Sequence, residues 1–270
     1  MKTKLTESKF KCAPGAAKQL FSRIACLAAA ILICSSARAQ NLYVSGSDAG
    51  SSEIFKFTWD GQQSIFASGF INPWDLAFDN AGNLFVVDYD RSALLGDAAV
   101  YKITPNGVRT RFASGLSYPA YVAVDSTGNV FVADYDHGVI YKYKPTGSRA
   151  TFASGLHHPV GMAFNSAGNL FVVDNTIGNI ASGRIYEYKP NGSRATFAVL
   201  NSSDRPADLA FDSMGNLLVV DAGGVSSAGG VIPNAIYKFT LQGVRSTFAS
   251  GQALSESFAC LAFQPIPCCE

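Results

Sequence analysis

The chain has 270 residues, and 21 Lys and Arg stand against 20 Asp and Glu, for a formal net charge of +1. Seven of the basic residues and one acidic residue fall within the first 39 positions, which leaves 14 against 19 and a charge of −5 for residues 40–270. That balance excludes nucleic acid as a general partner, because holding a phosphate backbone takes clustered positive charge.

Residues 1–39 read as a targeting segment. Lys2, Lys4, Lys9, Lys11, Lys18 and Arg23 make a basic start, Leu27 to Cys34 form a short apolar run, and Ala37-Arg38-Ala39 has the small residues after which signal peptidase cleaves. The run is shorter than the roughly 20 residues that cross a bilayer as a helix. The expected mature chain starts at Gln40, has no membrane span and is secreted or periplasmic. Cys260, Cys268 and Cys269 are the cysteines it keeps, all near the C-terminus, so no disulfide framework holds the fold.

From residue 41 onward the chain repeats itself, and that repetition governs the fold. Asn41-Leu-Tyr-Val-Ser-Gly46 is a first, degenerate copy of a strand. It returns as Asn83-Leu-Phe-Val-Val-Asp88, Asn129-Val-Phe-Val-Ala-Asp134, Asn169-Leu-Phe-Val-Val-Asp174 and Asn216-Leu-Leu-Val-Val-Asp221. A strand such as Leu76-Ala-Phe-Asp79 precedes each full copy, one such as Ile140-Tyr-Lys-Tyr143 follows, and one such as Phe152-Ala-Ser-Gly155 ends the unit. The period, taken between Leu76, Val122, Met162, Leu209 and Leu261, runs from 40 to 52 residues. Turns such as Asp79-Asn-Ala-Gly82 and Pro145-Thr-Gly147 separate the strands, with Asp or Pro opening the turn and Gly tolerating positive φ.

Four short strands per unit and no helical periodicity give an all-β fold. One such sheet has two apolar faces and is not stable alone; radial packing buries both, which predicts a β-propeller of four-stranded blades. The chain begins on a second strand and ends on a first strand, Cys260-Leu-Ala-Phe263. The expectation is five blades over residues 40–264, the C-terminal strand completing the N-terminal blade, with 265–270 as a tail.

Pro73-Trp-Asp-Leu-Ala-Phe-Asp79 through Asp88, with its later copies, resembles the NHL-repeat propellers and the neighbouring gluconolactonase-like propellers, usually six-bladed, as a secreted bacterial member. The resemblance covers nearly all of residues 41–264. It implies the fold; for function it implies a class that holds binding scaffolds as well as lyases and lactonases. Phe263-Gln-Pro-Ile-Pro267 resembles the segment before a Pro-Glu-Pro sorting tail of secreted repeat proteins.

Candidate site residues collect on the face that bears the connections between blades, where loop lengths vary. Asp88, Asp134, Asp174 and Asp221 end equivalent strands. They suit either a Ca²⁺ site, since hard cations take carboxylate oxygens, or anchoring of their own loops through backbone N–H groups; repetition in four blades favours anchoring. Trp74, Tyr118, Tyr121, His157, His158 and Asp136 are the expected ligand-binding set, with Tyr89 and Tyr135 beside them and His137 as a third imidazole. Arg109, Arg149, Arg194 and Arg245 open the outermost strands, where charge discourages edge-to-edge pairing. No nucleophile elbow, phosphate loop or zinc spacing occurs in the sequence. The reading is a monomeric, non-enzymatic binding module for an extracellular carbohydrate or peptide ligand. The alternative is a metal-dependent enzyme of the gluconolactonase or streptogramin-lyase type.

Overall fold

The computed structural model describes residues 29–31, 41–48, 51–58, 62–89, 98–175, 183–201, 204–212, 214–222, 224–225, 231–232 and 235–250. Among them no helix occurs, and five four-stranded antiparallel sheets form a five-bladed β-propeller. Blade I holds β1 (Ala29–Ile31), β2 (Leu42–Asp48), β3 (Ser51–Phe57) and β4 (Gln63–Phe70). Blade II holds β5 (Pro73–Phe78), β6 (Leu84–Asp88), β7 (Ala99–Ile103) and β8 (Arg109–Ala113). Blade III holds β9 (Pro119–Val124), β10 (Val130–Asp134), β11 (Val139–Tyr143) and β12 (Arg149–Ala153). Blade IV holds β13 (Pro159–Phe164), β14 (Leu170–Asp174), β15 (Arg184–Tyr188) and β16 (Arg194–Val199). Blade V begins with β17 (Pro206–Phe211) and β18 (Leu217–Asp221), inserts a small hairpin of β19 (Gly224–Val225) and β20 (Val231–Ile232), and resumes with β21 (Ala235–Phe239) and β22 (Arg245–Ser250).

Burial follows the strand's place in the blade. The second strands β6, β10, β14 and β18 are buried at every position, which is why their sequences are continuous apolar runs rather than alternating ones. The outer strands β4, β8, β12 and β16 start with exposed residues, and the Arg-Ala-Thr of β12 and β16 reflects that. Aromatic residues join one blade to the next. Tyr43 meets Phe66 of its own blade and Phe78 of blade II edge-on, each with ring centroids 4.9 Å apart. Phe131 does the same with Phe152 and Phe164 at 5.0 Å, and Phe171 with Phe197 and Phe211 at 5.0 and 4.9 Å. The turns use the expected chemistry. Asp79 Oδ1 accepts the Ala81 and Asn83 N–H groups at 3.0 and 2.8 Å, and Gly82 takes φ of 79°.

Blade I departs from expectation. The place inside β2 is taken by β1, a stretch within the expected leader. Ala29, Ala30 and Ile31 stand opposite Val44, Tyr43 and Leu42. In blade III the same places, opposite Val132, Phe131 and Val130, belong to Val122, Ala123 and Val124, whose counterparts near the C-terminus are Leu261, Ala262 and Phe263. The free edge of β2 selects a short apolar segment able to pair, and Ala-Ala-Ile meets that requirement as Leu-Ala-Phe does. Residues 251–270, with the expected closing strand and tail, lie outside the described residues. A chain of residues 40–270 is expected to unfold cooperatively within a few degrees of the full chain. A chain of residues 40–257 is expected to melt lower by about 5 °C or more, or to aggregate, because β2 is then left unpaired. Equal melting temperatures for the two shortened chains would rule out completion of blade I by the C-terminal segment.

Candidate functional site at the loop-bearing mouth

Every second strand of blades II to V ends in a buried Asp, and each Asp holds the connector that leads into its own blade. Asp88 Oδ1 accepts the Asn72 and Ile71 N–H groups at 2.8 and 3.0 Å. Asp134 accepts those of Ser117 and Tyr118 at 3.0 and 3.1 Å, and Asp174 those of His157 and His158 at 2.8 and 3.0 Å. Asp221 accepts the Arg205 N–H at 3.0 Å. The residue after each Asp adds a backbone bond: Tyr89 to Asn72 O, Tyr135 to Tyr118 O, Asn175 to His158 O and Ala222 to Arg205 O. In blade I, Gly46 stands at the Asp position, and a Cβ there would lie 2.7 Å from the Phe55 ring. The four carboxylates therefore serve four separate connectors. Among the described residues no three His, Cys, Asp or Glu side chains gather where a metal ion could sit.

The connectors place aromatic rings side by side around the mouth. Tyr89 stacks on Tyr118 with centroids 3.9 Å apart, Tyr118 on Tyr135 at 5.1 Å, and Tyr135 on His158 at 4.5 Å. The row runs from blade II to blade IV. Tyr118, Tyr135 and His158 are half-buried, and Asp136 beside them is exposed. Burial and the Asp136 charge both push the Tyr135 phenol pKa up, so it stays a neutral donor.

Two imidazoles lean on anchoring carboxylates. His137 Nδ1 lies 3.0 Å from Asp134 Oδ2, and His157 Nδ1 lies 3.5 Å from Asp174 Oδ2. The His side chains are 59% and 62% exposed while the Asp side chains are 1% and 3% exposed, so a solvent-facing ring is backed by a buried carboxylate in two adjacent blades. Tyr118, His157, His158 and Asp136 thus all stand on or beside the connectors at this end of the propeller. Trp74 and Tyr121 sit deeper. Trp74 packs against the cluster of Phe85, Val100 and Val122 between blades II and III, and Tyr121 is buried in the cluster shared by blades III to V.

Below the mouth, the innermost strands carry Asp75 and Asp208 at matching places. Asp75 is half-buried, and its Oδ2 accepts the Val122 N–H of the next blade at 2.8 Å. Desolvation raises its pKa to about 7 although the Val122 and Leu76 N–H groups pull it down. Asp208 is buried at 8% exposure.

The outer Arg residues do more than present charge. Arg149 and Arg194 lie 4.7 and 4.5 Å from the ring centroids of Tyr141 and Tyr186, and Arg109 lies 4.7 Å from that of Tyr101. Arg109 also donates to Ser68 O and Gly69 O of the preceding blade at 3.0 and 2.9 Å, and Arg245 pairs with Asp204. Each Arg covers a tyrosine of the neighbouring strand, and Arg109 and Arg245 also reach the last strand of the preceding blade and the connector before their own blade, respectively. The sequence showed their repetition, but the tyrosine beneath each one emerges only from strand pairing.

No protein-family model matches the chain, and no curated protein matches it. Solved structures do. A streptogramin B lyase is 16% identical with a TM-score of 0.61, over 80% of this chain and 66% of its own length. A gluconolactonase from Xanthomonas campestris is 15% identical with a TM-score of 0.62, over 89% and 90%. A catalytically inactive histidine-to-alanine variant of virginiamycin B lyase from Staphylococcus aureus, determined with quinupristin, is 13% identical with a TM-score of 0.55, over 84% and 85%. The class is therefore a β-propeller related in fold to gluconolactonase and the streptogramin lyases. That agrees with the NHL and gluconolactonase-like resemblance of the repeats.

Asp134→Ala is expected to cost about 1–3 kcal/mol by leaving the Ser117 and Tyr118 N–H groups without their acceptor, read as a drop in unfolding free energy. A cost near zero would mean that water replaces the carboxylate. Asp75 gives a pH signature. Its carboxyl binds a proton more tightly in the folded chain than in the unfolded one, so stability falls as pH rises from about 4 to 7, by up to about 1.4 kcal/mol per pH unit. Asp75→Asn, which still offers Val122 an oxygen, is expected to remove that slope when melting is followed from pH 4 to 8; an unchanged slope would show that the carboxyl is already ionised throughout.

Proposed function

We propose that the protein works at the loop-bearing mouth as an acid–base enzyme of the lyase or lactone-opening type, acting on a small ring-bearing substrate. The observation that carries this reading is the pair of exposed imidazoles backed by buried carboxylates, His137 on Asp134 and His157 on Asp174. At His137 the hydrogen-bonded carboxylate fixes the tautomer and orientation of the ring and leaves Nε2 free to take and return a proton, the role imidazole fills in general acid–base catalysis; at His157 the carboxylate stands 3.5 Å away. The stacked rings from Tyr89 to His158 line the mouth with aromatic surface, which suits a flat or cyclic substrate. The kinship in fold with lyases and a gluconolactonase adds support, as does the inactivity of a histidine-to-alanine lyase variant. This reading departs from the binding module expected from the sequence. It also needs no Ca²⁺ at Asp88, Asp134, Asp174 and Asp221, whose oxygens hold backbone N–H groups.

A second reading, a binding module without turnover, draws on the same aromatic row, since stacked tyrosines also hold carbohydrate or peptide rings. In either case we infer export: the basic start, short apolar run and Ala37-Arg38-Ala39 support a secreted or periplasmic location.

The test is turnover of quinupristin and of gluconolactone by the wild type, His137→Ala and His157→Ala. The expected result is measurable turnover of one of them that falls by about 100-fold or more in at least one variant. Binding without turnover, lost in Tyr118→Ala with His157→Ala, would establish the binding module in its place.

A further inference from the structure

Tyr121 lies two residues inside Pro119 on the innermost strand of blade III. Its hydroxyl donates to Ala207 O of blade V at 2.7 Å, a contact between residues 86 positions apart. Blade IV stands between those two blades, so the phenol passes along the channel side of β13. The residue of β13 at the matching place is Gly161, with φ of 56° and no side chain to obstruct that path. A Cβ on Gly161 would lie 2.9 Å from the Asp208 Cα, so β13 and β17 already touch there. The acceptor is free because the register of β17 breaks between Pro206 and Asp208, which leaves Ala207 out of the pairing with β18. Tyr121 itself is 6% exposed, with Met162 and Leu209 in the same buried cluster. The matching residues of blades II and V are Asp75 and Asp208, each too short to span the channel in this way.

We propose that Tyr121 is the specificity-determining floor of the mouth, a strut across the channel that limits how far a ligand enters below Tyr118 and Tyr135. The inference rests on the mouth being the functional face. Gly161 and the irregular start of β17 make room for the strut, and removal of the phenol opens a ring-shaped space whose far end is the Ala207 carbonyl. A rigid ligand with a second ring and a terminal hydroxyl fits that space and can take over the hydrogen bond.

Phenol and 4-hydroxybiphenyl are the probes, titrated by calorimetry into the wild type, Tyr121→Phe, Tyr121→Leu and Tyr121→Ala, with folding checked by circular dichroism. In the wild type and Tyr121→Phe the two probes are expected to bind with affinities within about 3-fold of each other, because the floor excludes the second ring. In Tyr121→Ala, 4-hydroxybiphenyl is expected to gain at least about 10-fold over phenol from the apolar area of the added ring. Tyr121→Leu fills the near half of the space and keeps the protein packed, and a gain of about 3-fold is expected there. A folded Tyr121→Ala with an unchanged ratio overturns the proposal; if that variant does not fold, an unchanged ratio in Tyr121→Leu does so. Should the wild type bind neither probe while Tyr121→Ala binds 4-hydroxybiphenyl, the floor stands and the reading of the mouth as a ring-binding face fails.

Discussion

The second strand of each of blades II to V is apolar on both faces, and nothing in its own blade can cover both. Phe85, Val86 and Val87 are between 0 and 2% exposed, and Phe131, Val132 and Ala133 fall in the same range. That burial is supplied by the neighbouring blades, and in blades I, III and IV an aromatic ring on the second strand meets one ring of its own outer strand and one of the next blade's inner strand. Each edge-to-face pair contributes about 0.5–1.5 kcal/mol beyond the area it buries. Its greater effect is to fix the rotation of one blade against the next, since a ring edge and a ring face meet well in few orientations. The series breaks twice: Phe85 of blade II meets Phe112 but finds Val124 where the next inner strand would offer a ring, and blade V has Leu218 in place of the ring itself.

A frame built that way holds the mouth still. The carboxylates at the ends of β6, β10, β14 and β18 grip the connectors through backbone groups, so the residues that face solvent are free to differ from blade to blade. Asn72, Tyr118, His158 and Arg205 occupy one repeated place, and Tyr89, Tyr135, Asn175 and Ala222 another. Four of those eight positions carry rings, all in the stretch from blade II to blade IV, and they form one continuous row. Asp134 and Asp174 each hold a connector and stand behind an imidazole: Asp134 Oδ2 does both, whereas Asp174 holds the connector through Oδ1 and faces His157 with Oδ2. The repeated geometry thus gives a site that occupies part of the ring rather than all of it.

Much of this was legible in the chain. The spacing of Asn-Leu-Phe-Val-Val-Asp copies determined the number of units, the Asp and Gly turns determined which strands pair, and the unbroken apolar runs marked the second strands as buried on both faces. Loop position alone was the basis for expecting Tyr118, His157, His158 and Asp136 on one face. Three features did not follow. Trp74 and Tyr121 were read with the rim residues, yet Trp74 fills an inter-blade cluster and Tyr121 turns inward, because a side chain near the start of an inner strand points wherever the local bulge directs it. The outer Arg residues read as edge charges, yet they lie over tyrosines, and Arg109 and Arg245 also reach the last strand of the preceding blade and the connector before their own blade, respectively. The strand completing blade I was expected from the C-terminus, and β1 holds that place in the structure.

The sequence by itself determined whatever depends on local pattern: strand, turn, repeat, and the face on which loops gather. The tertiary structure alone decided whatever depends on a partner far along the chain. Tyr121 reaches Ala207 only because Gly161 leaves the path open and a bulge in β17 frees a carbonyl. Asp75 meets the Val122 N–H only when blade III packs against blade II. Hydrogen bonds and desolvation are set by distances of a few ångströms, and a linear pattern carries no record of which residues the closing of a ring brings that near.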